Sequence, residues 1–157
     1  MLKCKLLLVL LITLLGHAGA QIPSPVKWSY EVKQEGNVAT LQFKAFIKTT
    51  YHVYSQNNDP DAGPIPTSFT FQPGKEFELD GKVLEGKSIE IFDPNFGVKL
   101  RYFSDEAVFT QQIKVKENKP FTVSGVVTFM VCDDTRCYPP EDVSFSFALN
   151  ETTGQAK

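Results

Sequence analysis

Apolar and polar residues alternate along most of this chain. Ala39, Leu41, Phe43, Ala45 and Ile47 form one apolar row, and Phe109, Ile113 and Val115 a second, which Gln111 breaks. Phe121, Val123, Val127, Phe129 and Val131 make a third. Val143, Phe145, Phe147 and Leu149 make a fourth, set against Ser144, Ser146 and Ala148. A period of two places alternate side chains on one face, as in a strand buried on one side. No stretch after residue 20 has a helical period. The pattern predicts strands over 28–33, 38–47, 51–54, 67–71, 77–83, 88–92, 98–103, 107–115, 121–131 and 143–149. Turn residues punctuate them: Gln34-Glu35-Gly36-Asn37, Asp80-Gly81, Asp93-Pro94-Asn95-Phe96-Gly97 and Glu117-Asn118-Lys119-Pro120. Many short strands without helices predict an all-β fold, an immunoglobulin-like antiparallel β-sandwich. The irregular stretch 56–66 (QNNDPDAGPIP) reads as a surface loop joining the two sheets, and 151–157 as a flexible tail.

The first twenty residues follow another rule. Lys3 and Lys5 precede a run over 6–15 that is apolar but for Thr13, and Ala18-Gly19-Ala20 follows. This is the order of a secretory signal peptide cleaved after Ala20. A run of ten residues falls short of the roughly 20 that span a bilayer, so the expected mature domain, 21–150 plus its tail, is exported and not membrane-spanning. Its loss takes Lys+Arg from 16 to 14 against 18 Asp+Glu, a net charge of −4. A mildly acidic chain without a basic run is a poor partner for nucleic acid or an anionic membrane surface. One histidine remains, His52, too few for a histidine-rich zinc site. With 13 Phe, 5 Tyr and one Trp there is apolar mass for one core. Two cysteines remain, Cys132 and Cys137, bound for a compartment where disulfides form.

Both lie in Val131-Cys132-Asp133-Asp134-Thr135-Arg136-Cys137-Tyr138-Pro139-Pro140-Glu141-Asp142. A turn of four intervening residues can bring two Cα atoms within the ~5.5 Å of a disulfide. Pro139-Pro140 favours an extended exit into the last strand. Zinc would need four ligands, and two thiols with one distant histidine do not supply them. A structural staple and a redox-active pair remain. A loop this short stabilises by only about 2 kcal/mol in the chain-entropy account. The structural bridge of an immunoglobulin domain instead spans the core between sheets. Arg136 beside Cys137 favours a thiolate there, whereas Asp133 and Asp134 oppose one at Cys132, making Cys137 the better nucleophile. The rival is a non-catalytic immunoglobulin-like binding module with a hairpin disulfide.

The string Cys132-x4-Cys137-Tyr138-Pro139-Pro140-Glu141 between two strands resembles the periplasmic N-terminal domain of the thiol:disulfide interchange protein DsbD, the disulfide bond corrector domain family. The resemblance covers nearly all of 21–149. It implies an immunoglobulin-like domain that relays reducing equivalents to oxidised periplasmic proteins as a protein-disulfide reductase, with no metal or organic cofactor. Cys132 and Cys137 would be the redox pair, and Cys137 the sulfur that joins partners. Asp93, Asn95, Phe96 and Gly97 resemble the family's cap loop, with Phe96 as the shield. Tyr54 matches one tyrosine of a Tyr-x-Tyr-like strand in which His52 replaces the other. Tyr138 and Pro139 complete the surround. Four residues separate the cysteines where the family takes five as readily, and Pro94 replaces a frequent second acid. The implied partners are thioredoxin-like or disulfide isomerase proteins. With no transmembrane segments and no thioredoxin-like domain before Lys157, a membrane-embedded reductant would come from another chain.

Overall fold

In the computed structural model, which describes residues 24–150, the alternating rows are antiparallel strands. The expected signal peptide, its cleavage site and the tail lie outside the described residues. Eleven strands follow in order: β1 (Val26–Glu35), β2 (Val38–Ile47), β3 (His52–Tyr54), β4 (Ser68–Phe71), β5 (Phe77–Glu85), β6 (Ile89–Asp93), β7 (Val98–Ser104), β8 (Glu106–Val115), β9 (Phe121–Phe129), β10 (Val131–Cys132) and β11 (Glu141–Leu149). They form sheets of order β1-β2-β8-β5, β10-β3-β7-β6 and β11-β9-β4. The architecture is the antiparallel, immunoglobulin-like β-sandwich that the periodicity predicts.

The sandwich core lies between the first and third sheets. Phe43 of β2 meets Phe69 of β4 at 4.8 Å and Phe145 and Phe147 of β11 at 4.9 and 5.1 Å. Trp28 of β1 reaches Phe109 and Phe129 at 6.0 and 5.4 Å. Each fully buried ring of this kind contributes about 1.5–3 kcal/mol through apolar burial.

Two features depart from the sequence reading. Asp80-Gly81 does not turn the chain; it forms a bulge inside β5, where the register with β8 shifts between Asp80 and Leu84. Gln111, the residue that breaks the apolar row of β8, fills that bulge. Only 1% exposed, it donates through Nε2 to the carbonyls of Asp80, Gly81 and Gln112 at 3.2, 3.3 and 2.7 Å. A buried amide satisfied by backbone carbonyls is how a polar side chain survives in a core row.

The second departure positions the site. The expected strand over 121–131 is two strands: β9 pairs with β11 and β4, and beyond Met130, β10 pairs with β3 in another sheet. Val131, Val53 and Phe103 stand in register across β10, β3 and β7, all buried in the main core. Cys132, His52 and Ser104 form the next row and face the other way. The loop over 56–66 joins β3 to β4, in different sheets, as expected. Its 3₁₀ turn (Pro60–Ala62) is capped by Asp59, whose Oδ1 accepts from Asp61 N at 2.9 Å. Asn58 anchors it to β7, donating to Arg101 O at 2.7 Å and accepting from Arg101 N at 2.9 Å.

Candidate functional site

Cys132 and Cys137 form a disulfide, with Cα atoms 4.0 Å apart, across a loop built by Asp133. The Asp133 Oδ1 accepts from Thr135 N, Thr135 Oγ1 and Arg136 N at 2.8, 2.7 and 2.9 Å. Those bonds, the Thr135 hydroxyl foremost, hold the Asp133 carboxyl below its usual range. Asp133 N donates to Arg136 O at 2.9 Å, and Tyr138 N to Val131 O at 2.9 Å, closing the loop at its base. The charges in this segment are thus largely occupied in shaping it. Arg136 lies over the Tyr138 ring at 5.1 Å and donates to its hydroxyl at 2.9 Å. Cys132 is fully buried, while Cys137 is partly exposed.

The site face of the second sheet carries a buried polar chain. Tyr54 OH donates to Asp93 Oδ2 at 2.6 Å, and His52 Nε2 lies 3.2 Å from the same hydroxyl. Asp93 is 1% exposed, and its second oxygen accepts from Asn95 N at 2.8 Å. Burial, and then the bond to Asp93, drive the Tyr54 hydroxyl far above its ordinary pKa, so it stays protonated. Burial pulls the His52 imidazole below 6.5 against the opposing pull of Asp93, 3.8 Å away. His52 also stacks on Tyr102 at 4.5 Å.

Asp93-Pro94-Asn95-Phe96-Gly97 is the turn between β6 and β7, and it leans on the cysteine loop. Gly97, at φ +70°, closes it by donating to Asp93 O at 2.8 Å. Asn95 Nδ2 donates across to Asp133 O at 3.1 Å. Phe96 meets Tyr54 edge-on at 5.9 Å. It packs on a small apolar cluster of Tyr54, Leu100 and Cys132, which Ala62, Tyr102, Met130 and Cys137 complete. Gly63, at φ +122°, sits so close to the Phe96 ring that a Cβ there would overlap it.

Of the residues singled out from sequence, Cys132, Cys137, Tyr54, Asp93 and Phe96 come together, Asn95 bridges the two loops and Gly97 shapes the turn. Tyr138 lies apart from this cluster, packed on the main core with its hydroxyl 3.4 Å from that of Tyr51. Pro139 is exposed and belongs only to the exit from the loop. His52, Gly63, Leu100 and Tyr102 were not singled out for the site. Period two on β3 could have flagged His52, which shares a face with Tyr54. Leu100 and Tyr102 enter only through pairing with β6 and β3.

No helix among the described residues is long and apolar enough to cross a membrane. The reduced N-terminal domain of Neisseria meningitidis DsbD superposes with a TM-score of 0.51 at 20% identity, covering 77% of this chain and 84% of that one. The same domain in complex with the PilB N-terminal domain gives 0.50 at 18%, covering 82% and 88%. The N-terminal periplasmic domain of ScsB from Proteus mirabilis gives 0.57 at 10%, covering 82% of this chain but 47% of that one. At these identities the likeness speaks for the fold. A search of curated protein sequences gave no match. The model of the family "Thiol:disulfide interchange protein DsbD, N-terminal" matches residues 20–149, most of the chain, so the protein belongs to the DsbD N-terminal domain family.

Proposed function

We propose that this is a periplasmic domain that passes reducing equivalents to oxidised partner proteins through Cys132 and Cys137, a protein-disulfide reductase needing no metal or organic cofactor. The asymmetry of the pair carries the reading: Cys132 is wholly buried, and Cys137 reaches the surface. A sulfur that meets a partner's disulfide needs access, whereas a resolving sulfur needs only its neighbour. The Cys137 thiolate attacks the partner disulfide and one partner sulfur leaves as thiolate. Cys132 then attacks the Cys137 sulfur and expels the second partner thiolate. The partner gains two electrons, and the domain is left with the Cys132–Cys137 disulfide.

The turn of Asp93, Asn95, Phe96 and Gly97 acts as a cap that a partner displaces; Tyr54 supports it, and Tyr138 and Pro139 frame the loop. The meningococcal DsbD domain has been solved with a protein partner, the PilB N-terminal domain, which supports a protein substrate here. We assign that role to thioredoxin-like or disulfide isomerase proteins, with a membrane-embedded reductant as the electron donor. The reduction potential in glutathione or thioredoxin buffers is the test. A value above about −300 mV is expected; a lower one marks a structural bridge and overturns the reading. In Cys137→Ser, mixed disulfides with partners disappear. Trapping of the same partners by Cys132 alone would reverse the assigned roles.

A further inference from the structure

We propose that His52 is the base that takes the proton of Cys132 when this buried thiol resolves a mixed disulfide held on Cys137; the inference rests on the exchange reading above. His52 stands directly opposite Cys132 in the β3–β10 pair, with both side chains on the site face. Such cross-strand neighbours have Cβ atoms about 4.5–5.5 Å apart, within reach of an imidazole and a thiol. The hydrogen-bond chain sets the tautomer. Tyr54 commits its hydroxyl proton to Asp93, so its oxygen accepts, and the proton between His52 and Tyr54 must sit on Nε2. The other ring nitrogen, Nδ1, keeps its lone pair and makes no hydrogen bond among the described residues. Asp93 and Tyr54 thereby hold the ring in the form that accepts a proton, and Tyr102 fixes its plane.

The charged and titratable groups around the ring agree with this role. Asp93 at the end of β6, with Asp133 and Asp134 on the cysteine loop, favours a transient imidazolium, whereas burial keeps the resting ring neutral. Tyr54 and Tyr102 on β3 and β7 are both held protonated by burial. Two of these three carboxylates are otherwise engaged, Asp93 with Tyr54 and Asn95 and Asp133 with Thr135 and Arg136, and Asp134 is exposed. In the step, the S–H bond of Cys132 gives its proton to His52, and the sulfur lone pair attacks Cys137 Sγ. The bond from Cys137 to the partner breaks, its electron pair leaving on the partner sulfur, and the imidazolium returns its proton to water.

Oxidised glutathione serves as the probe. It reacts with the reduced chain carrying Cys4→Ser, in which only the pair is left, in two steps, each releasing one glutathione: attachment to Cys137, then resolution by Cys132. Acid quenching and mass spectrometry separate them. His52→Gln and His52→Phe should slow resolution at least tenfold, at the lower end of general-base effects, and leave attachment within twofold. In the wild type, resolution should rise with pH through the imidazole and then level off. In both variants it should climb instead toward an ordinary thiol pKa near 8.5. Thermal unfolding of the oxidised variants checks the fold, and His52→Phe keeps the ring on Tyr102 if the amide is not tolerated. Unchanged resolution rates and pH profile in the folded variants overturn the role of His52 alone. If the wild-type dithiol never attacks oxidised glutathione, the exchange reading fails and this inference with it.

Discussion

The two faces of the short sheet β10-β3-β7-β6 are made of alternate residues on the same strands, yet their chemistry is opposite. Toward the sandwich stand Val53, Phe103 and Val131, all nearly inaccessible and without a polar side-chain atom. One residue along, on the other face, stand Cys132, His52 and Tyr54, also buried, with Cys132 in the disulfide and His52, Tyr54 and Asp93 joined in one hydrogen-bond chain. The first face gains from apolar burial, which depends little on direction. The second depends on every donor finding its acceptor, since an orphaned buried polar group costs about 1–3 kcal/mol. A three-residue strand can therefore anchor the site to a rigid core and aim its polar groups away from it.

Removing apolar volume gives the largest contrast between the faces. Phe103→Ala empties a site packed edge-on against Phe109 at 5.4 Å. It should cost about 3–5 kcal/mol in urea unfolding, with the reduction potential of the folded fraction unchanged. A loss under about 1 kcal/mol would mean that the sheet is not anchored through this face. Tyr54→Phe keeps the ring and removes only the hydroxyl, stranding His52 Nε2 and Asp93 Oδ2 together. A cost of about 1–3 kcal/mol is expected, this time with faster alkylation of the reduced cysteines. A stability loss with unaltered alkylation would show that the polar chain supports the fold but not the turn over the disulfide.

The same contrast explains what could be read from the sequence. Apolar rows such as Ala39–Ile47 and Val143–Leu149 reveal strands because burial on one face imposes period two. The break at Met130 was hidden because Val123, Val127, Phe129 and Val131 remain buried across it. Changing sheets altered the hydrogen-bond partners without altering the period. Gln111 looked like an interruption, and its partners are carbonyls exposed by a bulge that no local pattern announces. At the site, Cys132 and Cys137 were legible because loop chemistry is local, and the turn around Phe96 through the family resemblance. Tyr102 was not, and His52 was legible only as a face-mate of Tyr54, since its place opposite Cys132 comes from a pairing between residues far apart in the chain.

A pH series sharpens the polar side of the comparison. Burial holds the folded pKa of His52 below 6.5, so between those two values the unfolded chain binds more protons than the folded one. Stability from a neutral His52 is present in full above pH 6.5 and is lost as pH falls through the depressed folded value. Urea midpoints measured down this window should fall in the wild type. His52→Phe should lack that part of the slope, while Phe103→Ala keeps it. Parallel curves for wild type and His52→Phe would remove the histidine from the linkage.

The smallest stability effect is expected where the two loops touch. Phe96 is partly exposed, and its edge-on contact with Tyr54 is worth about 0.5–1.5 kcal/mol beyond area burial. Phe96→Ala should therefore barely move the unfolding midpoint yet speed alkylation of the reduced pair, because the ring packs on the cluster containing both sulfurs. Gly63→Ala approaches the same contact from the opposite loop. Its new Cβ would collide with the Phe96 ring, at a φ of +122° that L side chains rarely adopt. It should thus also speed labelling. If both act by moving one ring, their effects are not independent. The double variant should label no faster than Phe96→Ala alone, because with the ring gone the alanine at position 63 has nothing left to displace. Multiplicative rates in the double variant would separate the two loops and leave Phe96 an ordinary turn residue.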